Sequence, residues 1–382
     1  MKIIKKFMIL LDKFIPKSNI IIFNSFIELT DNSFAIYKYL KEKLPAYKYI
    51  WITENKSINS NKRENSRTKI YPKISLAGIY YFLRSKYIFT THGLYSNFSS
   101  NKNRKIINLW HGMPLKPIGN LDKRTNKTIE TKYDMIIATS ELFQCFMAKA
   151  FNIDINKVII TGQPRNDLLY EETDFFCKIN LKKEKFKKIL MWMPTFRKSI
   201  VDSESSWAKD GKYVENYISI LPFSKLSNLN KLLEKKQFLL ILKLHPFDIL
   251  QEEKFKEFTN IIILKNEDLE NIDEHLYPLL GTTDALITDY SSVWIDYEIL
   301  NKPIFFAIHD YEEYKNTRGL LFEDFINISP YPVIDTYEKF IGFLENYENI
   351  DMNNREFTNK YNKYKDNKSC ERIIKYLRLD KK

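Results

Sequence analysis

Glycine is scarce in this chain: nine among 382 residues, where an average usage of about 7% would give roughly 27. A chain so poor in glycine keeps it where the backbone needs a conformation that side chains disfavour. Gly93 and Gly112 (each directly after a histidine), Gly119, Gly162 and Gly319 are therefore expected to mark loops. Cysteine is also rare. Cys145, Cys177 and Cys370 form no CxxC pair, which argues against a disulfide framework or a cysteine zinc site and fits a reducing, cytoplasmic environment. There is no HxxxH spacing and no carboxylate cluster beside a histidine, so no metal site and no cofactor are expected. No apolar run reaches roughly 18 uncharged residues, so no transmembrane span is expected.

Positive charge is plentiful. The formal net charge is +12, which suits an anionic partner such as a membrane surface, a nucleotide or a phosphorylated polymer. Coding bias toward lysine accounts for part of it. No nucleic-acid-binding motif accompanies the charge, so nucleic acid is not an expected partner. In residues 1–18, Ile3, Ile4, Phe7, Leu10, Leu11 and Phe14 share one helical face, with Lys2, Lys5, Lys6 and Lys13 largely opposite. This is the pattern of a basic helix lying in a membrane interface, or of a helix docked on its own domain.

Apolar runs alternate with helical patterns along the chain, which predicts a parallel sheet flanked by helices, built twice. Strands are expected near 20–23, 47–53, 87–91, 105–109, 135–139 and 158–161, then near 188–193, 238–244, 261–264, 285–288 and 303–307. Helices are expected near 31–44, 75–84, 140–151, 226–236, 275–280 and 293–300, with polar loops at 55–68 and 198–211. The expected units are an N-terminal Rossmann-like domain over 19–170, a linker over 171–188, a second Rossmann-like domain over 189–350 and a helical segment over 351–382.

The strand near 105–109 ends in Trp110-His111-Gly112-Met113-Pro114-Leu115-Lys116, and the strand near 238–244 ends in His245-Pro246. Open α/β sheets bind ligands at such strand ends. Histidine exchanges protons near neutral pH, so His111 and His245 form a candidate acid–base pair across a cleft. His92 is a lesser candidate, and His275 and His309 look peripheral. Thr288-Asp289-Tyr290-Ser291-Ser292 reads as a strand, a hydroxyl-rich turn and a helix start, an arrangement suited to phosphate or to an ordinary serine cap. Thr195 and Arg197 follow another strand end, and Arg318 precedes Gly319 in a loop. Arg165 and Asp167, in Gly162-Gln163-Pro164-Arg165-Asn166-Asp167, either bridge the two halves or fix the hinge between them.

These segments, with Asp31-Asn32 and Met193-Pro194-Thr195-Phe196-Arg197, occur in the order of the CDP-glycerol glycerophosphotransferase family, which the chain resembles over about residues 20 to 345. The resemblance implies a GT-B fold of two facing Rossmann-like domains. It implies attack of an acceptor hydroxyl on the β-phosphorus of CDP-glycerol, with release of CMP. His111 would be the base and His245 would stabilise charge on the pyrophosphate. Ser291, Ser292, Arg318, Thr195, Arg197, Asp289, Lys116 and Arg165 would contact substrate or phosphate. The implied acceptor is lipid-linked or polymeric, at the anionic inner face of the membrane. Two departures stand out: Met113 replaces a common threonine beside the base, and Trp294 enlarges the helix after the serines. Competing expectations are a GT-B glycosyltransferase using a nucleotide sugar, and a basic scaffold with a vestigial cleft.

Overall fold

A computed structural model describes residues 8–26, 29–54, 65–95, 103–124, 132–195, 217–244, 258–322, 326–327, 329, 331–350 and 359–379. Two parallel sheets dominate it. The first comprises β1 (Ser18–Asn24), β2 (Lys48–Thr53), β3 (Thr68–Pro72), β4 (Ser85–Thr90), β5 (Lys105–Asn108), β6 (Met135–Ala138) and β7 (Val158–Ile160), in the order β3-β2-β1-β4-β5-β6-β7. The second contains β8 (Lys188–Met193), β11 (Phe238–Lys243), β12 (Ile261–Leu264), β13 (Ala285–Thr288) and β14 (Ile304–Phe306), in the order β12-β11-β8-β13-β14. A small antiparallel pair, β9 (Tyr217–Ile218) and β10 (Leu221–Pro222), lies between them in sequence.

The strands are near-continuous apolar runs because helices cover both faces of each sheet, leaving no strand face for water. Ile21, Ile22 and Phe23 of β1 and Leu239 to Leu242 of β11 are fully buried. Phe23 pairs in register with Trp51 and Phe89, and its ring stacks on Phe89 at 5.8 Å. One apolar cluster spans both halves. It joins Met113, Ile136 and Phe143 to Leu239, Leu286 and Trp294, so the halves share packing as well as a cleft.

Both chain termini differ from a simple two-domain reading. The helix Ser369–Tyr376 returns to the first sheet, where Cys370, Ile373 and Ile374 join the cluster containing Phe23 and Tyr49. Asp167 caps that helix by accepting from the backbone N–H of Ser369 (2.9 Å) and Cys370 (2.8 Å). In the N-terminal segment, residues 8–12 are helical and dock inward. Met8 is buried, and Asp12 pairs with the fully buried Arg104 and with Lys17, both at 2.7 Å. Ile9, Leu10 and Phe14 remain exposed. The region 171–188 is not a free linker, since Phe175 and Phe176 are buried in the shared cluster.

Sheet order fixes where a site can form. Strand order reverses between β1 and β4 in the first sheet and between β8 and β13 in the second. The crevice outside the carboxyl ends of strands at such a reversal is the usual ligand position. In the first sheet those ends lead to Phe26 and His92, with His111 beyond neighbouring β5. In the second they lead to Thr195 and to Ser291-Ser292.

Candidate active site between the two sheets

The carboxyl ends of both sheets open on one cleft of about 610 Å³. His111, Gly112, Lys116 and Arg165 line it from the first half, and Thr195, Ser291, Ser292 and Arg318 from the second. These candidates, far apart in sequence, therefore meet in one place. His245 and Arg197 lie outside the described residues.

His111 is reached by a strained turn. Trp110 before it adopts φ +50° and Gly112 after it φ +132°. The imidazole Nδ1 lies 3.2 Å from the Thr91 carbonyl. A carbonyl only accepts, so Nδ1 carries the proton and Nε2 keeps its lone pair. Phe26 stacks on the ring at 6.0 Å, and its own backbone N–H donates to Thr91 Oγ1 at 3.0 Å. The residue is exposed to the cleft by surface area, yet many protein atoms lie around it. Desolvation therefore pulls its pKa below the ordinary 6.5, against the opposing pull of Asp31 and the Thr91 carbonyl. The result is a neutral imidazole at neutral pH, oriented by backbone and able to accept a proton. His92 is adjacent and also lowered by burial, then by the charge of His111.

The facing wall is hydroxyl-rich. Thr288 Oγ1 donates to the Met193 carbonyl (2.8 Å), joining β13 to β8 just before both chains leave the sheet. Asp289 is buried, and both its oxygens accept from the Thr195 backbone N–H at 2.9 and 3.1 Å, with the Thr195 hydroxyl adding a third bond. Asp289 thus holds the Thr195 loop, and its oxygens are engaged by Thr195. A carboxylate there would repel an anion. Ser291 and Ser292 are half-buried and face the opening.

Gly112 is required by close approach. A Cβ at this position would stand 2.6 Å from Ser292 Oγ and 2.9 Å from Arg165 Nη2, in a backbone conformation that side chains rarely adopt. The turn bearing His111 is thus pressed against the serine turn of the other half. A second contact joins the halves at the rim. Leu321 N–H donates to the Leu115 carbonyl at 2.9 Å, and Arg318 Nη1 lies 3.6 Å from Asp122. Lys116 reaches the cleft with its ammonium 5.4 Å above the Tyr314 ring.

Arg165 lines the cleft, but its terminal nitrogens are held by protein partners. It is buried, and its guanidinium pairs with Asp31 at 2.7 Å and with Asp296 at 2.6 Å, while donating to the His111 carbonyl at 3.1 Å. Burial opposes its charge, but Asp296 and Asp31 more than offset this, so its pKa is raised. Tyr277 completes the cluster by donating to Asp296 at 2.7 Å. Of the two alternatives for Arg165 and Asp167, Arg165 bridges the halves and Asp167 secures the C-terminal helix.

One other expectation needs correction. His275 is not peripheral: it lines the cleft and stacks on Phe34 at 3.9 Å. Met113 and Trp294 are fully buried in the shared apolar cluster, and Met113 also lines the cleft. Lys243 was missed. It is 5% exposed, lines the cleft and donates to the Leu244 carbonyl at 2.9 Å. Its signal was visible as a lone lysine inside the apolar run of β11. Among the described residues, no group of three or more His, Cys, Asp or Glu could hold a metal ion.

Comparison with known proteins places this geometry in context. The profile of the family described as CDP-glycerol:poly(glycerophosphate) glycerophosphotransferase matches residues 6–379. The teichoic acid poly(glycerol phosphate) polymerase of Bacillus spizizenii is 28% identical over 94% of this chain and 91% of its own length. The teichoic acid poly(ribitol-phosphate) polymerase of the same organism is 27% identical over 94% of this chain and 56% of its own length. A solved structure of the wall teichoic acid polymerase TagF superposes with a TM-score of 0.76 at 24% identity, covering 98% of this chain and 92% of that one. That likeness makes the fold GT-B type.

Proposed function

Because the chain belongs to the CDP-glycerol:poly(glycerophosphate) glycerophosphotransferase family, we propose that its cleft transfers glycerol phosphate from CDP-glycerol to an acceptor hydroxyl, with His111 as the base. The observation that carries the assignment of His111 is the 3.2 Å contact of Nδ1 with the Thr91 carbonyl in a residue that lines the cleft, which assigns the proton to Nδ1 and the accepting lone pair to Nε2. The acceptor hydroxyl attacks the β-phosphorus and its proton passes to Nε2. The new P–O bond forms as the anhydride bond breaks, and CMP leaves with that electron pair. Phosphoryl transfer is catalysed mainly by positioning and by donors aimed at the developing charge. Ser291, Ser292, Lys243 and Arg318 of the second half, with Lys116 reaching in from the first, are the proposed hydroxyls and cations for the donor; all line the cleft. His245 is proposed as a further donor to the pyrophosphate, as the family resemblance implies.

The acceptor is proposed to be lipid-linked or polymeric, reached from the inner membrane face. Among the described residues no helix is long and apolar enough to cross a membrane. The support for peripheral docking is local. Met8 and Leu11 share an apolar cluster with Phe82 and Leu83 of the helix Leu76–Arg84. The outward residues Ile9, Leu10, Phe14, Ile74 and Leu76 stay exposed.

A donor screen tests the reading. CDP-glycerol, CDP-ribitol, and CMP- and UDP-sugars are each offered with acceptor, and nucleotide release is measured. Release of CMP from a CDP-polyol is expected. Turnover of a nucleotide sugar alone would overturn it in favour of a glycosyltransferase.

A further inference from the structure

The mechanism above gives no task to Arg165, a buried charge at the cleft. Arg165 stands on the short helix Pro164–Asp167 in the first half. Asp296 stands on the helix Val293–Tyr297, four residues beyond Ser292, in the second. Their ion pair at 2.6 Å crosses between the halves. The same guanidinium donates to the His111 carbonyl, and its Nη2 lies 2.9 Å from where a Cβ on Gly112 would project. One planar group therefore touches the backbone of the base, the close-packed glycine and the helix that carries the serine turn.

We infer that Arg165 is a positioning residue that sets the separation between His111 and the Ser291-Ser292 turn. This rests on His111 being the base. The surrounding bonds leave the guanidinium little freedom. Its backbone N–H donates to Asn32 Oδ1 at 3.0 Å. The Asn32 side chain in turn donates to the carbonyls of Leu109 (3.1 Å) and Trp110 (3.0 Å). Gln163 donates to the other Asp296 oxygen. Asp31, the remaining partner, takes φ +65°, a left-handed conformation that a non-glycine residue holds only when its surroundings impose it. Both ends of the turn bearing His111 are thus anchored to one buried cluster, and that cluster is anchored to the opposite wall. A lysine could keep the charge but not the fork, because an ammonium cannot span two carboxylates and a carbonyl in one plane.

The consequence is kinetic. Misplacing the base by about 1 Å costs on the order of 100-fold in rate, whereas the guanidinium hydrogen bonds of Arg165 go to Asp31, the His111 carbonyl and Asp296 rather than to the donor-side hydroxyls and cations. Arg165→Lys is expected to lower kcat by roughly 100-fold while the Kd for CDP-glycerol stays within about threefold of wild type. Asp31→Asn keeps an oxygen for the guanidinium and is the gentler variant, with an expected kcat loss of about 10-fold and the same unchanged Kd. Folding of each variant is checked by thermal melting and by donor binding itself. The decisive arm is non-additivity: on a His111→Ala background, Arg165→Lys should cost no further rate, because Arg165 acts through His111. Wild-type kcat in folded Arg165→Lys or Asp31→Asn overturns the inference while leaving the base assignment intact. A tenfold or greater rise in donor Kd overturns it too, by making Arg165 a donor ligand. Wild-type turnover in His111→Ala instead sinks the reading on which the inference rests.

Discussion

Two buried ionic clusters, built from the same chemistry, occupy opposite ends of the first half. At the cleft floor, Arg165 joins Asp31 and Asp296 with Tyr277 beside them. At the back, Arg104 joins Asp12 and Lys17, and its guanidinium donates to the carbonyls of Phe82 and Leu83 at 2.8 Å each. Both arginines are almost fully buried. They differ in what they connect. Arg104 ties the N-terminal segment to the helix Leu76–Arg84 within one half, far from any strand end that meets the cleft. Arg165 ties one half to the other at the base. A buried ion pair contributes little net stability on average, though breaking it is costly. Its value depends on which pieces it holds in register.

Breaking the contact that the floor cluster protects should have the largest effect. Gly112→Ala places a methyl 2.6 Å from Ser292 Oγ at φ +132°. CMP release should fall at least about 100-fold as the two turns are forced apart, and normal turnover would show that the close approach is dispensable. Removing the rear cluster should instead separate stability from rate. Arg104→Met removes the buried guanidinium from Asp12, leaving Lys17 beside it, and should cost up to about 3 kcal/mol of unfolding free energy by denaturant titration. The folded fraction should keep wild-type kcat, and a parallel loss of kcat would dissolve the distinction between the clusters.

The pH dependence gives a smaller effect. His111 faces Asp31, which raises its pKa, and Arg165 and His92, which carry or can acquire like charge. Desolvation prevails and the pKa lies below 6.5. A base with a lowered pKa is active above that value and is lost as pH falls through it. The acid limb of kcat/KM should therefore have its midpoint below 6.5, and a limb above that value would contradict the desolvated, neutral imidazole. Smallest of all, Leu10→Ser with Phe14→Ser should reduce partitioning to anionic liposomes by a few-fold while CMP release with a soluble acceptor is unchanged. Equal partitioning would assign the exposed face to the fold alone.

Much of this was legible in the sequence because it is local. Strand ends, the apolar runs and the loop glycines follow from spacing and backbone chemistry. Gly112 and Gly162 both take positive φ, as their scarcity suggested. Other features escaped local reading. The edge strand β3 (Thr68–Pro72) mixes polar residues with a proline, a pattern that reads in part as loop; an edge tolerates both because one side of it needs no ladder bonds. The helix Asn266–Asn271 is short and almost wholly polar. The floor cluster was out of reach for a different reason. Asp31, Arg165 and Asp296 are separated by more than 130 residues on each side, and no periodicity encodes such a meeting. His275 looked peripheral for the same reason, since only the fold brings Phe34 against it.

The central claim is that a neutral His111, oriented by Thr91, removes the acceptor proton. Single-turnover CMP release from saturating CDP-glycerol, comparing wild type with His111→Ala, tests it most directly. The account predicts a rate loss of about 100-fold to 10,000-fold with donor binding preserved. Wild-type release by His111→Ala would contradict it.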